Sequence, residues 1–207
     1  MKILLTGFEP FGRWKVNPSE QVIRALAKQA RWRTDADLVT EILPTEYVRA
    51  GKRIRQLIRR IRPGVVLCLG VAPACRAISL ERVALNLDDD PLPDNAGQFR
   101  SGRPIVRGGT VAYWSTLPLE RLRRVLEKRG IPVTISNHAG AYLCNHVFYL
   151  ARHEMEPWGD RAPCGFIHLP GPRPRREKSN AIPLHTMVEA IECCLQVLRK
   201  HSRGLGR

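Results

Sequence analysis

"RIRQLIRRIRPGVVLCLG", residues 53–70, joins two segments of different period, and reading them sets the fold. In the first half, Ile54, Leu57, Ile58 and Ile61 recur at helical spacing among arginines. With Val48 ahead of them, they form the expected inward face of a helix over 46–61. After Pro63 the pattern changes. The run "GVVLCLG" (64–70) is continuously apolar and bounded by glycines, which describes a short buried strand.

The same alternation continues on both sides. Upstream, "KILLTGF" (2–8) and "DLVTEIL" (37–43) read as strands. Between them "NPSE" (17–20) opens a helix. Asn17 is the N-cap, Pro18 takes the first helical position and Glu20 completes a capping-box-like pair. Val22, Ile23, Leu26 and Ala27 follow at helical spacing. Downstream, "SLERVALNL" (79–87) and "TVAYWST" (110–116) are β-like, and "DDDPLPDNAGQFRSGRP" (88–104) between them is a loop or hairpin tip. A helix over 118–129 presents Leu119, Leu122, Val125 and Leu126 on one face and stops at Gly130. "PVTIS" (132–136) is a strand, a helix runs from about 141 to 153, "CGFIHL" (164–169) is a strand, and a last helix covers 183–200. Residues 171–180, "GPRPRREKSN", read as an exposed, mobile loop. No linker or repeat divides the chain. The expected fold is a single α/β domain over 1–207, a three-layer α/β/α sandwich with a mixed, largely parallel central sheet.

Composition excludes several classes. With 43% hydrophobic and 26% charged residues the chain is ordinary for a globular protein, and 207 residues can bury a real core. No apolar run is long enough to cross a bilayer. The opening "MKILLTGFEPFG" lacks the apolar stretch and cleavage site of a secretory signal, so a cytoplasmic protein is expected. Six cysteines at 68, 75, 144, 164, 193 and 194 form no C-x-x-C and read as reduced thiols, most of them small core residues. The net charge of +15 comes from 34 basic residues, of which seven are lysine and 27 arginine. They are scattered along helix-like segments, with no zinc-finger spacing and no RNP-like motif. A solvated basic face is the first reading, and salt-dependent, non-specific nucleic-acid binding is the second.

Cys144 stands apart from the other cysteines. It lies in "SNHAGAYLCNHVFY" (136–149), just after a strand and a flexible glycine turn, in the first turn of a helix. Unpaired N–H groups and the positive end of the dipole favour a thiolate there and can hold an oxyanion. The alternative is a buried helical thiol, and local pattern does not choose between them. A thiolate nucleophile needs an imidazole partner. His146 is two residues on and points to another side of the helix, and His138 sits in a loop. His168 ends the strand "CGFIHLP", at the sheet edge where open α/β folds keep their sites, although taken alone it reads first as a strand-end histidine with no role. A metal site is the rival use of these residues. His138, Cys144 and His146 match no zinc spacing, and Cys164 and His168 lie ~13 Å apart along a strand. Glu81 is one candidate to orient an imidazole. Taken alone it reads first as a surface carboxylate paired with Arg82 or Arg76.

"TGFEPFG", "NPS", "ERVALN", "PDNAG", "STLP", "SNHAGAYLCNH" and "GFIHLP" occur in that order, and together they resemble the pyroglutamyl peptidase I family of cysteine peptidases, also called pyrrolidone-carboxylate peptidases. The resemblance runs from residue 2 to about 170, and the last helix also fits. It implies a cytosolic enzyme that removes N-terminal pyroglutamate from peptides, needs no metal or cofactor, and forms a homo-oligomer, a tetramer or dimer. It also implies the catalytic set Glu81, Cys144 and His168. An aromatic slot is implied around Phe8 and Phe11, with Val71, Tyr142 and Leu143 also at the substrate. An uncharged, flat pyrrolidone ring suits such a slot.

The chain departs from the family in places. "GVAPACR" stands where many relatives have "GQAGGR", so Val71 replaces a Gln, and Cys75 falls where the Arg aligns, with Arg76 one place late. His138 replaces a small hydroxyl residue, and "GPRPRRE" follows "HLP". The charge and these departures motivate a second hypothesis, a basic nucleic-acid-associated binding protein on a peptidase-like scaffold with weakened catalysis.

Overall fold

A computed structural model describes residues 1–12, 14–29, 32, 38–171 and 182–205. The exposed loop expected over 171–180 lies, but for Gly171, outside the described residues. In chain order the elements are β1 (Ile3–Phe8), α1 (Pro18–Lys28), β2 (Leu38–Leu43), α2 (Tyr47–Ile61), β3 (Val65–Ala72), β4 (Ile78–Leu85), β5 (Asp88–Asp90), β6 (Arg100–Arg103), β7 (Ala112–Trp114), α3 (Leu119–Glu127), β8 (Val133–His138), α4 (Leu143–Met155), β9 (Cys164–Pro170) and α5 (Leu184–Leu205). A 3₁₀ segment, Glu156–Arg161, joins α4 to β9.

Seven strands form one mixed sheet in the order β2-β1-β3-β9-β4-β7, with β8 also on β4. The pairs β1–β2, β1–β3, β3–β9 and β4–β8 are parallel, and β4 runs antiparallel to β9 and β7. Strand alternation sorts the core into two halves. Ile3, Leu5, Leu67, Leu69, Leu80 and Ile167 face α1, α3 and α5, whereas Leu4, Phe8, Val66, Cys68, Cys164 and Phe166 face α2 and α4. The result is an α/β/α sandwich in a single domain. Residues 88–104 resolve as the hairpin β5–β6, set apart from the main sheet.

Local chemistry explains the element ends. Asn17 Oδ1 accepts from Ser19 N at 3.0 Å, an N-cap that contributes ~1 kcal/mol. Glu20, expected to close a capping box, pairs instead with Arg24. Two positions expected in the core are exposed. Val48 is 57% exposed because the stripe of α2 that meets the sheet runs through Tyr47, Ala50, Gly51, Ile54, Leu57 and Ile58. Position 48 falls on the adjoining stripe with 52, 55 and 59. Ala27 likewise turns outward beside the buried Leu26. Four cysteines, 68, 164, 193 and 194, are buried core residues, and all six are free thiols.

Candidate active site

The site grows out of strand register. Gly70 on β3, His168 on β9 and Ser79 on β4 lie in one row across the sheet, and Cys68, Phe166 and Glu81 occupy the row beside it. Directly paired residues share a face, and Cys68 and Phe166 belong to the core under α4, so Glu81 and His168 project toward α4 as well. They come from antiparallel neighbours and sit diagonally. The Nδ1–H of His168 donates to Glu81 Oε1 at 2.8 Å. Glu81 is 1% exposed and His168 7%. The surface pairing of Glu81 with Arg82 or Arg76 is therefore not adopted. Glu81 Oε2 is buried without a hydrogen-bond partner among the described residues.

Cys144 reaches the same face from above. Gly140, at φ +78°, makes a left-handed turn that favours glycine, and the chain enters α4 through Tyr142 in extended conformation. His146 N donates to Tyr142 O, so the N–H groups of residues 143–145 precede the helical ladder. The sulfur sits over Gly70. A Cβ at position 70 would lie 2.7 Å from Cys144 Sγ and 2.7 Å from Phe166 Cζ, so only glycine leaves room for the thiol. Burial by itself pulls the His168 ring down from its usual 6.5. Its charge interaction and hydrogen bond with Cys144, followed by those with Glu81, reverse this and push it up to about 10. The Phe166 ring packs 4.9 Å from that of His168.

Asn145, fully buried, fixes the spacing of these groups. Its Oδ1 accepts from Leu85 N at 2.8 Å, and its Nδ2 donates to Leu85 O and Leu87 O, each at 2.9 Å. The start of α4, which carries Cys144, is thereby tied to the end of β4, which carries Glu81. Sequence reading missed both Asn145 and Gly70. The available signals were an amide inside a helix, where Asn is a poor helix former, and a glycine closing a buried strand.

The candidate slot residues are partly assembled. Phe8 and Leu143 are buried in one apolar cluster, with Tyr142 packed against it. Phe11 is half-buried, its ring 6.3 Å from that of Tyr142. Tyr142 OH donates to Pro93 O at 2.9 Å, and Asn95 Nδ2 donates to Pro10 O at 3.0 Å, so the segment 93–95 props both sides. Val71 is not brought to the slot with them. It pairs with Leu169, which lies in the core on the α1, α3 and α5 side, and strand alternation turns its side chain away from Cys144.

The remaining histidines have other partners. His146 is buried, with Nδ1 2.9 Å from Asp88 Oδ2. His153 Nδ1 meets Tyr113 OH at 2.9 Å, and His138 Nδ1 accepts from Gly140 N. Cys75 is half-buried, and its sulfur accepts from Ser79 Oγ. Among the described residues no group of three or more His, Cys, Asp or Glu could hold a metal ion, and no helix is long and apolar enough to cross a membrane.

The sequence model of one protein family, pyroglutamyl peptidase, matches residues 1–201. The chain belongs to the pyroglutamyl peptidase family. Pyrrolidone-carboxylate peptidase of Pyrococcus furiosus is 42% identical over 82% of this chain and 81% of its own. That of Oceanobacillus iheyensis is 39% identical over 95% and 98%. A crystal structure of the Pyrococcus furiosus pyrrolidone carboxyl peptidase superimposes with a TM-score of 0.88 at 35% identity, covering 98% of this chain and all of the other. The nucleic-acid-binding hypothesis receives no support from these relatives.

Proposed function

We propose that this protein is a cysteine peptidase that removes N-terminal pyroglutamate from peptides, with Cys144 as nucleophile, His168 as acid and base, and Glu81 as the group that orients the imidazole. The supporting observation is the buried His168 ring, held by Glu81 through Nδ1, on the sheet face where the Cys144 sulfur sits over Gly70, its strand neighbour.

In this mechanism the Cys144 thiolate attacks the carbonyl carbon that follows the pyroglutamyl ring. N–H groups at the start of α4 carry the developing oxyanion. The C–N bond then breaks, and the amine leaves with the proton held on His168 Nε2, giving a thioester. Water adds to the thioester with its proton passing to His168. The C–S bond breaks, pyroglutamate departs and the ion pair is restored. Glu81 serves throughout by holding Nδ1–H, so that Nε2 faces the sulfur. Phe8, Phe11, Tyr142 and Leu143 form the slot for the uncharged lactam. An enzyme built this way needs no metal or cofactor. Cytoplasmic residence and a homo-oligomeric state, tetramer or dimer, complete the proposal.

The test is hydrolysis of pyroglutamyl-aminocoumarin, with and without iodoacetamide, beside alanyl-aminocoumarin. The expected result is turnover of the blocked substrate alone, abolished by alkylation. Turnover that survives alkylation, or that favours the alanyl substrate, overturns the assignment.

A further inference from the structure

The outer stripe of α2 that carries Val48 also carries Lys52, Arg55 and Arg59. With Arg100 of β6 and His146 of α4 it lines an open cleft of about 460 Å³ on the helical layer. We propose that this cleft, between α2 and the β5–β6 hairpin, binds a small anion built from a short chain of phosphates.

The charge arrangement supports this. Four cationic side chains meet two carboxylates, and both carboxylates are used as scaffolding. Glu154 accepts from Arg55 Nε at 2.7 Å and from Arg59 Nε and Nη2, each at 2.7 Å, which holds the two guanidinium groups side by side. Asp88, fully buried, takes Arg100 at 2.6 Å and His146 at 2.9 Å. The guanidinium carbon of Arg100 lies over the Tyr47 ring, 4.4 Å from its centroid. The three arginines are thus held by carboxylates and a positive surplus remains, with Lys52 exposed at the rim. Tyr47 borders the same cavity, and its buried hydroxyl has no hydrogen-bond partner among the described residues.

Shape selects the ligand. The cations line a concavity of small-molecule size, unlike the extended basic groove or face that follows a nucleic-acid backbone. From 52 to 59 the helix rises ~10 Å, a span that one phosphate cannot cover and a short phosphate chain can. Guanidinium forks match phosphate oxygens pairwise. Gly51 sets the depth, because a Cβ there would lie 2.8 Å from His146 Nε2 and 2.9 Å from Leu150 Cδ1.

Calorimetric titration of the full-length protein with sodium tripolyphosphate tests the proposal. Saturable one-to-one binding is expected. The double variant Lys52→Gln/Arg59→Gln keeps the Arg55–Glu154 pair and should bind at least about tenfold more weakly. The control Arg121→Gln/Arg124→Gln, on α3 in the other layer, removes equal charge and should bind as the wild type does. Hydrolysis of the pyroglutamyl substrate should be unchanged in both. Orthophosphate should bind about tenfold or more below tripolyphosphate. Adenosine triphosphate separates a free phosphate chain from a nucleotide. Affinity equal to tripolyphosphate assigns recognition to the phosphates alone, and tighter binding adds a wall for the nucleoside. No saturable binding, equal losses in both double variants, or orthophosphate as tight as tripolyphosphate overturns the proposal.

Discussion

Replacing Gly70 with alanine should impair the chemical step while leaving the protein folded. The added methyl would lie 2.7 Å from Cys144 Sγ and 2.7 Å from Phe166 Cζ. Ordinary contact distances are ~3.5–4.0 Å, so one neighbour must retreat by ~1 Å. Phe166 cannot do so, being fully buried between Phe148 at 5.9 Å and His168 at 4.9 Å. Cys144 is half-buried and at a helix start, so the sulfur moves. A nucleophile displaced by ~1 Å loses ~100-fold in rate. Overpacking costs about 1–3 kcal/mol, which lowers Tm by roughly 2–12 °C in a chain of this size. The assay is steady-state hydrolysis of pyroglutamyl-aminocoumarin, with thermal unfolding followed by circular dichroism. The expected pattern is a large fall in kcat with KM changed by less than about threefold, because the aromatic slot is untouched. A folded Gly70→Ala protein with kcat within about threefold of wild type would refute the placement of the sulfur over this glycine.

Glu81→Gln keeps the shape but replaces a charge-assisted hydrogen bond with a neutral one. Loss of about 1.5–3 kcal/mol corresponds to a ~10–150-fold fall in kcat/KM, and the alkaline limb of its pH profile should move to lower pH because Glu81 helps raise His168. Stability should carry the same signature. The folded His168 holds its proton to about 10 against a usual 6.5, so its pairing stabilises fully below pH 6.5 and is lost as pH rises toward 10. Tm measured across that window should fall less steeply in Cys144→Ala, which removes the largest raising influence. Asn145→Ala strips the partners from Leu85 N, Leu85 O and Leu87 O, and should cost about 2–4 kcal/mol and lower kcat more than it raises KM.

The frame of the fold was legible because β3 and its neighbours carry unbroken apolar runs and α1, α2 and α3 carry clean stripes. Val48 misled because an apolar residue one step off the stripe looks inward in a short window, while α2 rotates it to the solvent side. Cys144 was singled out locally, by a helix start, whereas His168 was one strand-end candidate among six histidines until family resemblance chose it. The choice of Glu81 depended on family resemblance, because strand order is not written in sequence. β4 lies against β9 although the chain places them more than eighty residues apart, and only that antiparallel pairing sets Glu81 diagonal to His168. The direction of the Val71 side chain was hidden for the complementary reason. One step along β3 from Gly70 crosses to the other face of the sheet, which a linear motif does not reveal. Gly70 and Asn145 act through what they allow or hold in three dimensions, so neither stood out as a chemical group.

The most direct measurement is pyroglutamyl-aminocoumarin hydrolysis by Cys144→Ala, with circular dichroism to show that the fold persists. The account predicts native spectra and activity at least about a thousandfold below wild type, since no other thiol faces the His168 ring in the proposed mechanism. A well-folded Cys144→Ala protein that cleaves the substrate within about tenfold of the wild-type rate contradicts it.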